Sequence, residues 1–393
     1  MNGTIYMPVG EVCSSISDTY REKKNMVTLI NTSDVLEGRL LNHERVPNSN
    51  LKGQFKKTFQ RDDILYSEIR PQNRRFAYVD FSPIDYIAST KLMVIRAKKD
   101  VVSPKYLYYF LKNSSTVAEL QLLAETRSGT FPQITFSEVA NLTIPVPSLA
   151  VQEVIVQTMQ CLEDKITCNE QINDNLEQQA QSYFQELFVD NADPEWAIGT
   201  ISDLGTVVGG STPSKAKPEY YTESGIAWIT PKDLSINKSK FVSHGENDIT
   251  ELGLKNSSAA IMPEGTVLFS SRAPIGYIAI AAGEVTTNQG FKSVVPKPEI
   301  GTPFVYFFLK NTLPVIEGMA SGSTFKEVSG STMKKVPAVI PDAETLAKFS
   351  DFCALIFAQQ RILEEQNQSL ATLRDNLLPK LMSGEIDVSA VQL

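Results

Sequence analysis

Histidine and cysteine carry much of protein catalysis and metal binding, and this chain of 393 residues has only two histidines and four cysteines. His43 and His244 lie far from any cysteine, and the cysteines form no CxxC pair. These spacings argue against a zinc site and against a Ser-His-Asp triad. The sequence also contains no HExxH or GxSxG motif and no correctly spaced glycine-rich phosphate loop. We therefore expect a chain that is not an enzyme and that holds no cofactor or metal of its own.

The charged residues are distributed unevenly along the chain. The net charge is −8, but residues 1–148 carry +4 and residues 149–190 carry −7, with −1 on residues 191–341 and −4 on residues 342–393. An acidic protein is a poor partner for nucleic acid. Since the acidity is concentrated in two segments, the other segments remain available to bind a polyanion.

Composition bounds the class of protein. The hydrophobic content of 42% is typical of a folded chain, and the length suggests two or three domains. No run of apolar residues is long enough to predict a membrane helix, and the N-terminal residues lack the charged and apolar segments of a secretory signal. Four scattered cysteines fit a reducing cytoplasm, where we expect the protein to be.

The chain contains two copies of one plan. Residues 106–113 (YLYYFLKN) match residues 304–311 (FVYFFLKN), and residues 64–67 (ILYS) match residues 267–270 (VLFS). Other matches follow in the same order, and each copy ends in a long stretch without proline or glycine. Self-similarity of this kind predicts two related folded units, each followed by a long helix.

Short β-branched runs and longer helical segments predict an α+β fold in each copy. Strands are expected at residues 27–30, 64–66, 76–79 and 92–95 and, in the second copy, at residues 227–229, 266–269, 277–281 and 292–295. Helices are expected from Ser103 to about Leu123 and from about Thr302 onward. The resulting division is a first domain (1–148), a central long helix (149–189), a second domain (190–342), a C-terminal long helix (343–382) and a tail (383–393).

Apolar residues repeat every seven positions along both long helices, which is typical of helices packed lengthwise. Asn173 and Asn367 fall at equivalent positions, and a buried polar pair can fix helix register. We predict an antiparallel coiled coil with a pseudo-two-fold axis, whose length of roughly 50 Å would hold the domains apart. That length could span DNA half-sites roughly 34–36 Å apart. The predicted seam is Ile155, Leu162, Ile166, Asn173, Leu176, Tyr183, Ile356, Leu363, Asn367, Leu370 and Leu377.

Several motifs occur together in an order that resembles a known family. Residues 373–387 (LRDNLLPKLMSGEID) resemble the C-terminal signature of type I restriction-modification DNA specificity subunits. Residues 209–214 (GGSTPS) and 225–234 (GIAWITPKDL) resemble the opening of their target recognition domain, and residues 266–272 (TVLFSSR) and 287–290 (TNQG) continue it. The resemblance covers essentially the whole chain, although the first copy lacks the GSTP and IAWI segments.

The resemblance implies sequence-specific DNA binding without catalysis. In this family, two target recognition domains each read one half of a bipartite target, and the spacer between the halves has a fixed length. The helices dock two modification subunits, which bind S-adenosylmethionine and methylate adenine. Two restriction subunits can join and use ATP and Mg²⁺ for translocation and cleavage. The sequence leaves open one alternative, a coiled-coil adaptor that binds only protein partners.

DNA contact requires basic or hydroxyl side chains for phosphates and amide or guanidinium groups for base edges. Three arginines flank one predicted turn of the first domain, and Asn288 and Gln289 are amides of the type that pair with adenine. The predicted DNA-binding residues are Lys52, Lys56, Lys57, Arg70, Arg74, Arg75, Arg127, Thr130, Ser211, Thr212, Lys215, Lys217, Lys232, Ser270, Ser271, Arg272, Asn288, Gln289, Thr324 and Lys326.

Other conspicuous residues are assigned different roles. Trp228, Phe291 and the aromatic residues of segments 106–110 and 304–308 are expected in the core rather than on DNA bases. Outward acidic positions of the long helices are candidate contacts for protein partners. They are Glu163, Asp164, Glu170, Asp174, Glu364 and Glu365.

Overall fold

The structure of the protein is a computed structural model that describes residues 4–22, 24–48, 53–127, 131–322 and 326–388. Its contacts divide the chain into two compact units. The first unit comprises Met1–Ile166 and Ser369–Leu393, and the second comprises Thr167–Gln368. Each unit contains both sheets and helices, which confirms the α+β class expected from the sequence.

The first unit is built from short strands, which include those predicted from β-branched runs. The strands are β1 (Ile5–Pro8), β2 (Cys13–Ile16), β3 (Met26–Ile30), β4 (Val35–Leu36), β5 (Arg39–Leu40), β6 (Val46–Pro47), β7 (Phe55–Lys57), β8 (Ile64–Ser67), β9 (Phe76–Tyr78), β10 (Tyr86–Ser89), β11 (Leu92–Ala97) and β12 (Thr143–Val146). They form two sheets, β6-β3-β10-β7 and β2-β11-β8-β9, and two pairs, β1-β12 and β4-β5.

The helices of this part of the chain differ from the prediction at one point. They are α1 (Val9–Val12), α2 (Pro104–Lys112), α3 (Ser114–Arg127), α4 (Phe136–Asn141) and α5 (Leu149–Gln185). The single helix expected from Ser103 to Leu123 is interrupted at Asn113, where φ is −56° and ψ is 137°. The Oδ1 atom of Asn113 accepts a hydrogen bond of 3.3 Å from the N–H of Ser115. Asparagine is favoured at helix N-caps, so α3 starts as a separate helix.

The second unit repeats the plan of the first. Its strands are β13 (Ala197–Thr200), β14 (Gly205–Gly209), β15 (Tyr221–Thr222), β16 (Ile226–Ile229), β17 (Phe241–Val242), β18 (Asn247–Ile249), β19 (Val267–Ser271), β20 (Ile275–Ala281), β21 (Thr286–Thr287), β22 (Lys292–Pro296) and β23 (Pro337–Ile340). The sheets are β14-β22-β19-β20-β17 and β15-β18-β16-β21, and β13 pairs with β23. β16 runs parallel to β21, as β3 runs parallel to β10. The internal repeat is therefore a repeat of topology as well as of sequence.

Helices complete this unit and close the chain. They are α6 (Ile201–Leu204), α7 (Pro231–Ile236), α8 (Glu251–Lys255), α9 (Thr302–Gly318), α10 (Gly330–Lys334) and α11 (Ala343–Ser383). A π-helical turn at Glu186–Asp190 follows α5. The aromatic residues of α2 and α9 are buried, as are Trp228 and Phe291, so the prediction that they belong to the core is confirmed.

The long helices α5 and α11 pack on each other within each unit. In the second unit, Nδ2 of Asn169 donates to Oδ1 of Asn367 over 2.9 Å, and the rings of Tyr183 and Phe349 are 6.0 Å apart. The residue that lies later on α5 contacts the residue that lies earlier on α11, so the two helices are antiparallel there. In the first unit, Leu377 packs against the core that contains Ile155.

The predicted seam residues are buried or half-buried, but one polar pairing differs from the expectation. Asn367 bonds Asn169, which is fully buried, and not Asn173. The Oδ1 atom of Asn173 is buried without a hydrogen-bond partner among the described residues. Antiparallel pairing sets residues from opposite ends of the two helices against each other, so equivalent positions in the repeat do not have to meet.

Buried charges attach the folded part of each unit to the helices. In the first unit, the ammonium of Lys112 and the hydroxyl of Tyr109 both contact the Glu163 carboxylate. In the second unit, Glu177 on α5 receives the ammonium groups of Lys240 and Lys310. Glu163 was expected on an outward face for partner contact, and that expectation is wrong because its carboxylate points to the core side of its own unit.

The Glu177 site is the more buried of the two. The side chain of Lys240 is only 6% exposed, and its Nζ also donates to Oε1 of Gln360 over 2.6 Å. Burial, only partly offset by Glu177, lowers the pKa of Lys240. Burial opposes ionisation of Glu177 as well, but the two ammonium groups outweigh it and hold the pKa of that carboxyl below its usual value.

Glu364 on α11 completes the attachment. Its two carboxylate oxygens accept the backbone N–H groups of Lys240 and Phe241 over 2.7 and 3.0 Å. Burial raises the pKa of this carboxyl despite those bonds. The position was predicted to face outward, and the structure corrects this because the chain just before β17 folds back onto the helix.

Candidate nucleic-acid interface

Three loops of the second unit meet around a cleft, after β14, β16 and β21. A Cβ atom added at Gly210 would lie 2.1 Å from the carbonyl oxygen of Asn288 and 2.3 Å from that of Thr287. No side chain fits in that space, so only glycine lets the first loop approach the third so closely. The N–H of Ser211 then donates to the carbonyl of Thr287 over 2.9 Å. The glycines of the GGSTPS motif therefore serve to bring two loops into backbone contact.

The cleft has a volume of about 390 Å³. It brings together five residues that were predicted to bind DNA, namely Thr212, Lys215, Lys232, Asn288 and Gln289. The other lining residues are Trp228, Thr230, Pro231, Asp233, Glu246 and Asn247. Sequence reasoning missed Glu246 and Asn247 because they lie at the start of a short strand and carry no motif.

A capping box fixes one wall of this cleft. The backbone N–H and the hydroxyl of Thr230 donate to Oδ2 of Asp233 over 2.7 and 2.6 Å. The N–H of Glu246 donates to the other oxygen of Asp233 over 2.9 Å. Capping boxes satisfy the free N–H groups at a helix start. The carboxylate of Asp233 is thus engaged in holding α7 and the segment before β18.

The two amide side chains have their oxygens engaged. The Oδ1 atom of Asn288 accepts the N–H of Gly290 over 2.8 Å, and the Oε1 atom of Gln289 accepts the hydroxyl of Thr212. Within the described chain, neither amino group has a hydrogen-bond partner. Pairing with adenine uses both an amide oxygen and an amino group. Each oxygen therefore has one of its two acceptor positions occupied, whereas both amino groups are fully available to a base.

The lysines near the cleft differ in how far their charge is neutralised. Lys215 is exposed and has no ion-pair partner among the residues that the structure describes. Lys232 forms an ion pair of 2.6 Å with Glu246, and the hydrogen bond to that carboxylate raises the pKa of Lys232. Lys217 donates to the hydroxyl of Tyr220 over 3.1 Å. Lys215 is therefore the cation of this group best suited to a phosphate.

The end of β19 and the residue that follows it do not offer their side chains as predicted. Ser270 and Ser271 are fully buried, and their hydroxyls donate to the carbonyls of Pro274 and Gly290. Neither hydroxyl can reach DNA in this arrangement, because β19 is an inner strand covered on both sides. Arg272 is half-buried and lies 3.5 Å from Glu327. Lys326 is exposed, and Thr324 lies outside the described residues.

The arginine turn of the first unit is formed, but its arginines differ. Arg70 and Arg74 both have left-handed backbone conformations, with φ of 44° and 51°. Arg74 donates to Ser114 over 2.8 Å, and Arg75 donates to the carbonyls of Ser33 and Val35. Arg70 is exposed, and its guanidinium contacts no acid or carbonyl in the described part of the chain. Arg70 is thus the arginine most available for a phosphate or a base.

Two lysines predicted to bind DNA lie in the described part of the first unit, and their surroundings differ. Lys56 is exposed. Lys57 donates to the carbonyls of Thr90 and Leu92 over 3.1 and 2.8 Å, and burial lowers the pKa of this ammonium. Its bonds hold two strands, so it is poorly placed to bind DNA.

Of the other three residues of this domain that were predicted to bind DNA, the structure describes only Arg127. Arg127 is exposed and forms an ion pair of 2.6 Å with Glu138. Lys52 and Thr130 lie outside the described residues.

Among the residues described, no group of three or more histidine, cysteine, aspartate or glutamate side chains is placed to hold a metal ion. No described helix combines the length and the apolar character required to cross a membrane.

Comparison with known proteins identifies the family. The family model for the type I restriction modification DNA specificity domain matches the chain twice, at residues 7–178 and 194–374. The type I restriction enzyme HindI specificity subunit of Haemophilus influenzae is 30% identical over an alignment 435 positions long, which covers 92% of this chain and 94% of the relative. The MjaIX specificity subunit of Methanocaldococcus jannaschii is 39% identical over 194 residues, covering 47% and 45% of the two chains.

One solved structure has a similar fold. The S subunit of a type I restriction-modification system from M. genitalium aligns with a TM-score of 0.54 and 17% identity, covering 97% of this chain and 96% of that one. The duplicated fold and the two matches define a tandem recognition protein. The chain belongs to the type I restriction modification DNA specificity domain family. This family is defined by DNA specificity and not by catalysis, in agreement with the non-catalytic role expected from the sequence.

Proposed function

We propose that the protein is the DNA-recognition subunit of a type I restriction-modification complex. The observation that carries the proposal is the double family match, at residues 7–178 and 194–374. Each match spans one folded domain and much of the long helix that follows it. In the proposed function, each domain reads one half of a bipartite target, and a spacer of fixed length separates the halves.

Both domains contain groups suited to DNA. The second has a cleft lined by amides and lysines, and the first has an exposed arginine at a turn. Cations contact phosphates and fix the position of the protein, while amides and guanidinium groups select bases. We assign phosphate contacts to Arg70, Lys56, Lys215 and Lys326, since these exposed cations have no ion-pair partner in the described chain.

The partners follow from the same proposal. Two modification subunits bind S-adenosylmethionine and methylate adenine on either side of the spacer, and two restriction subunits supply ATP- and Mg²⁺-dependent cleavage where they are present. The recognition chain itself holds none of these cofactors. Such a complex acts where the DNA lies, and the free cysteines of the chain suit a reducing cytoplasm.

A base-resolution methylation map tests the proposal. The host is compared with and without this gene while the modification subunits are expressed. We expect one split motif with methylated adenine to disappear on deletion. Identical maps would contradict the proposal and favour the protein-binding adaptor.

Salt dependence separates the same two functions in vitro. Binding to duplex DNA releases counterions, so the logarithm of the association constant should fall linearly with the logarithm of salt concentration. An adaptor without DNA affinity would show no such binding to duplex DNA.

A further inference from the structure

We infer that the cleft of the second domain reads the major-groove edge of a guanine, through the amino groups of Asn288 and Gln289. The inference rests on the proposed function and specifies which base this cleft selects. It depends on which atoms of the two amides are already engaged within the protein.

Asn288 has a fixed orientation. The N–H of Gly290 can only donate a hydrogen bond, so the side-chain atom that it meets at 2.8 Å is the amide oxygen. The turn therefore holds the oxygen and leaves the amino group as a donor. No hydrogen bond from that amino group occurs in the described chain, and the residue lines the cleft.

Gln289 is oriented by a side chain. It is exposed beside Asn288, and the Thr212 hydroxyl donates to its oxygen. The Gly210 backbone contact brings Thr212 to that position. Thr212 therefore acts as a positioning residue, and the amino group of Gln289 is a second unused donor.

Two donors match one base in the major groove. Guanine presents two acceptors there, N7 and O6, whereas adenine presents an acceptor and an amino group, and cytosine presents an amino group. The carboxylates of the cleft are poorly suited to accept from such amino groups. Asp233 is bonded to Thr230 and Glu246, and Glu246 is paired with Lys232.

The test uses the complex of the full chain with its modification subunits and a duplex DNA library of random sequence. Bound DNA is separated and sequenced. For the unaltered complex we expect an invariant G·C pair in one half of the selected motif. Asn288→Asp keeps an oxygen for Gly290 and replaces only the donor. We expect it to lower the preference for that guanine by about tenfold or more, with the other half of the motif unchanged, which also shows that the variant folds.

Four further variants separate base reading from charge and structure. Gln289→Glu should weaken the same guanine preference. Thr212→Val should weaken the guanine preference too, whereas Thr212→Ser should preserve it because serine keeps the hydroxyl. Asn247→Asp places the same negative charge in the same cleft, and it should weaken binding to all sequences without altering the preference at that base pair.

The contrary results are distinct. If Asn288→Asp only weakens binding uniformly, as Asn247→Asp does, the amino group contacts a phosphate and the inference is wrong. It is also wrong if the half of the motif altered by Asn288→Asp has no invariant guanine. If the unaltered complex selects no sequence, the proposed function itself fails, and the inference fails with it.

Discussion

Replacing Glu177 by glutamine removes the carboxylate that two lysine side chains share, and we expect it to destabilise the second unit. Breaking a buried ion pair by removing one partner costs about 3–5 kcal/mol. Lys310 is 35% exposed, so water can compensate its ammonium for most of the lost interaction with the carboxylate. Lys240 is only 6% exposed, so most of the cost arises there.

In the variant, Lys240 can lose its proton and become neutral instead of remaining an unpaired buried cation. The free energy of that proton release sets an upper limit on the loss of stability. Lys240 starts from an ordinary pKa of 10.5, and releasing its proton at pH 7 costs about 1.4 kcal/mol per unit of pKa, or about 5 kcal/mol in all. The variant should also regain stability as the pH rises, because its unfolded chain binds a proton that its folded state has lost. The gain is expected to approach about 1.4 kcal/mol per pH unit below pH 10.5.

Urea unfolding of the full chain, followed by circular dichroism at pH 7 and pH 9, measures both effects. Asp174→Asn is the matched control, since Asp174 is an exposed acid on the same helix, and it should change the free energy of unfolding by less than about 0.5 kcal/mol. If the two variants are equally stable at pH 7, or if raising the pH does not restore Glu177→Gln, then the ion pair is not important for the stability of this unit.

Three other predictions have defined outcomes. Lys215→Ala should reduce the slope of log association constant against log salt concentration by about one unit. Lys232→Ala should reduce this slope less, because Glu246 already neutralises that lysine. Equal slopes for both variants would contradict the assignment of Lys215 to a phosphate. Asn367→Ala should lower the free energy of unfolding in urea by about 1–3 kcal/mol because the buried Asn169 loses the acceptor that Asn367 provides. Asn173→Ala should lower it less, since the oxygen of Asn173 has no partner in the described chain. The reverse order would refute the pairing. Gly210→Ala should abolish selection in one half of the target motif and leave the other half intact, since its Cβ would lie 2.1 Å from the carbonyl oxygen of Asn288; unchanged selection in both halves would show that this backbone contact is dispensable.

Local sequence predicted the elements well where a single segment determines them. The β-branched runs became strands within one or two residues of the expected bounds, since pattern and propensity agree there. The break at Asn113 was also accessible, because asparagine followed by two serines is a cap signal. The helical pattern on both sides concealed it.

Contacts between distant segments could not be predicted in this way. Glu364 lies on a helix face that looks solvent-exposed by periodicity, but it binds the backbone at Lys240 and Phe241. Ser270 and Ser271 have the polarity of surface residues and nevertheless lie in an inner strand, where carbonyls satisfy their hydroxyls. Such positions depend on which strand lies in the middle of the sheet, and a single sequence does not specify that.

The cleft residues were predicted by type but not by atom. The amides at 288 and 289 were predicted as DNA-binding groups from their residue type alone, whereas the atoms left free depend on Gly290 and on Thr212. Residue type indicates what a side chain can bond, and only its neighbours determine what remains.

The backbone contact at Gly210 has a consequence for how this domain can evolve. The two loops are held by a glycine against carbonyl oxygens and by the bond from the N–H of Ser211, so the geometry of the cleft does not depend on the side chains at positions 215 and 289. Those positions can therefore mutate while the scaffold stays in place. A lineage could acquire a new recognition sequence by a few substitutions, each of which passes through a folded intermediate.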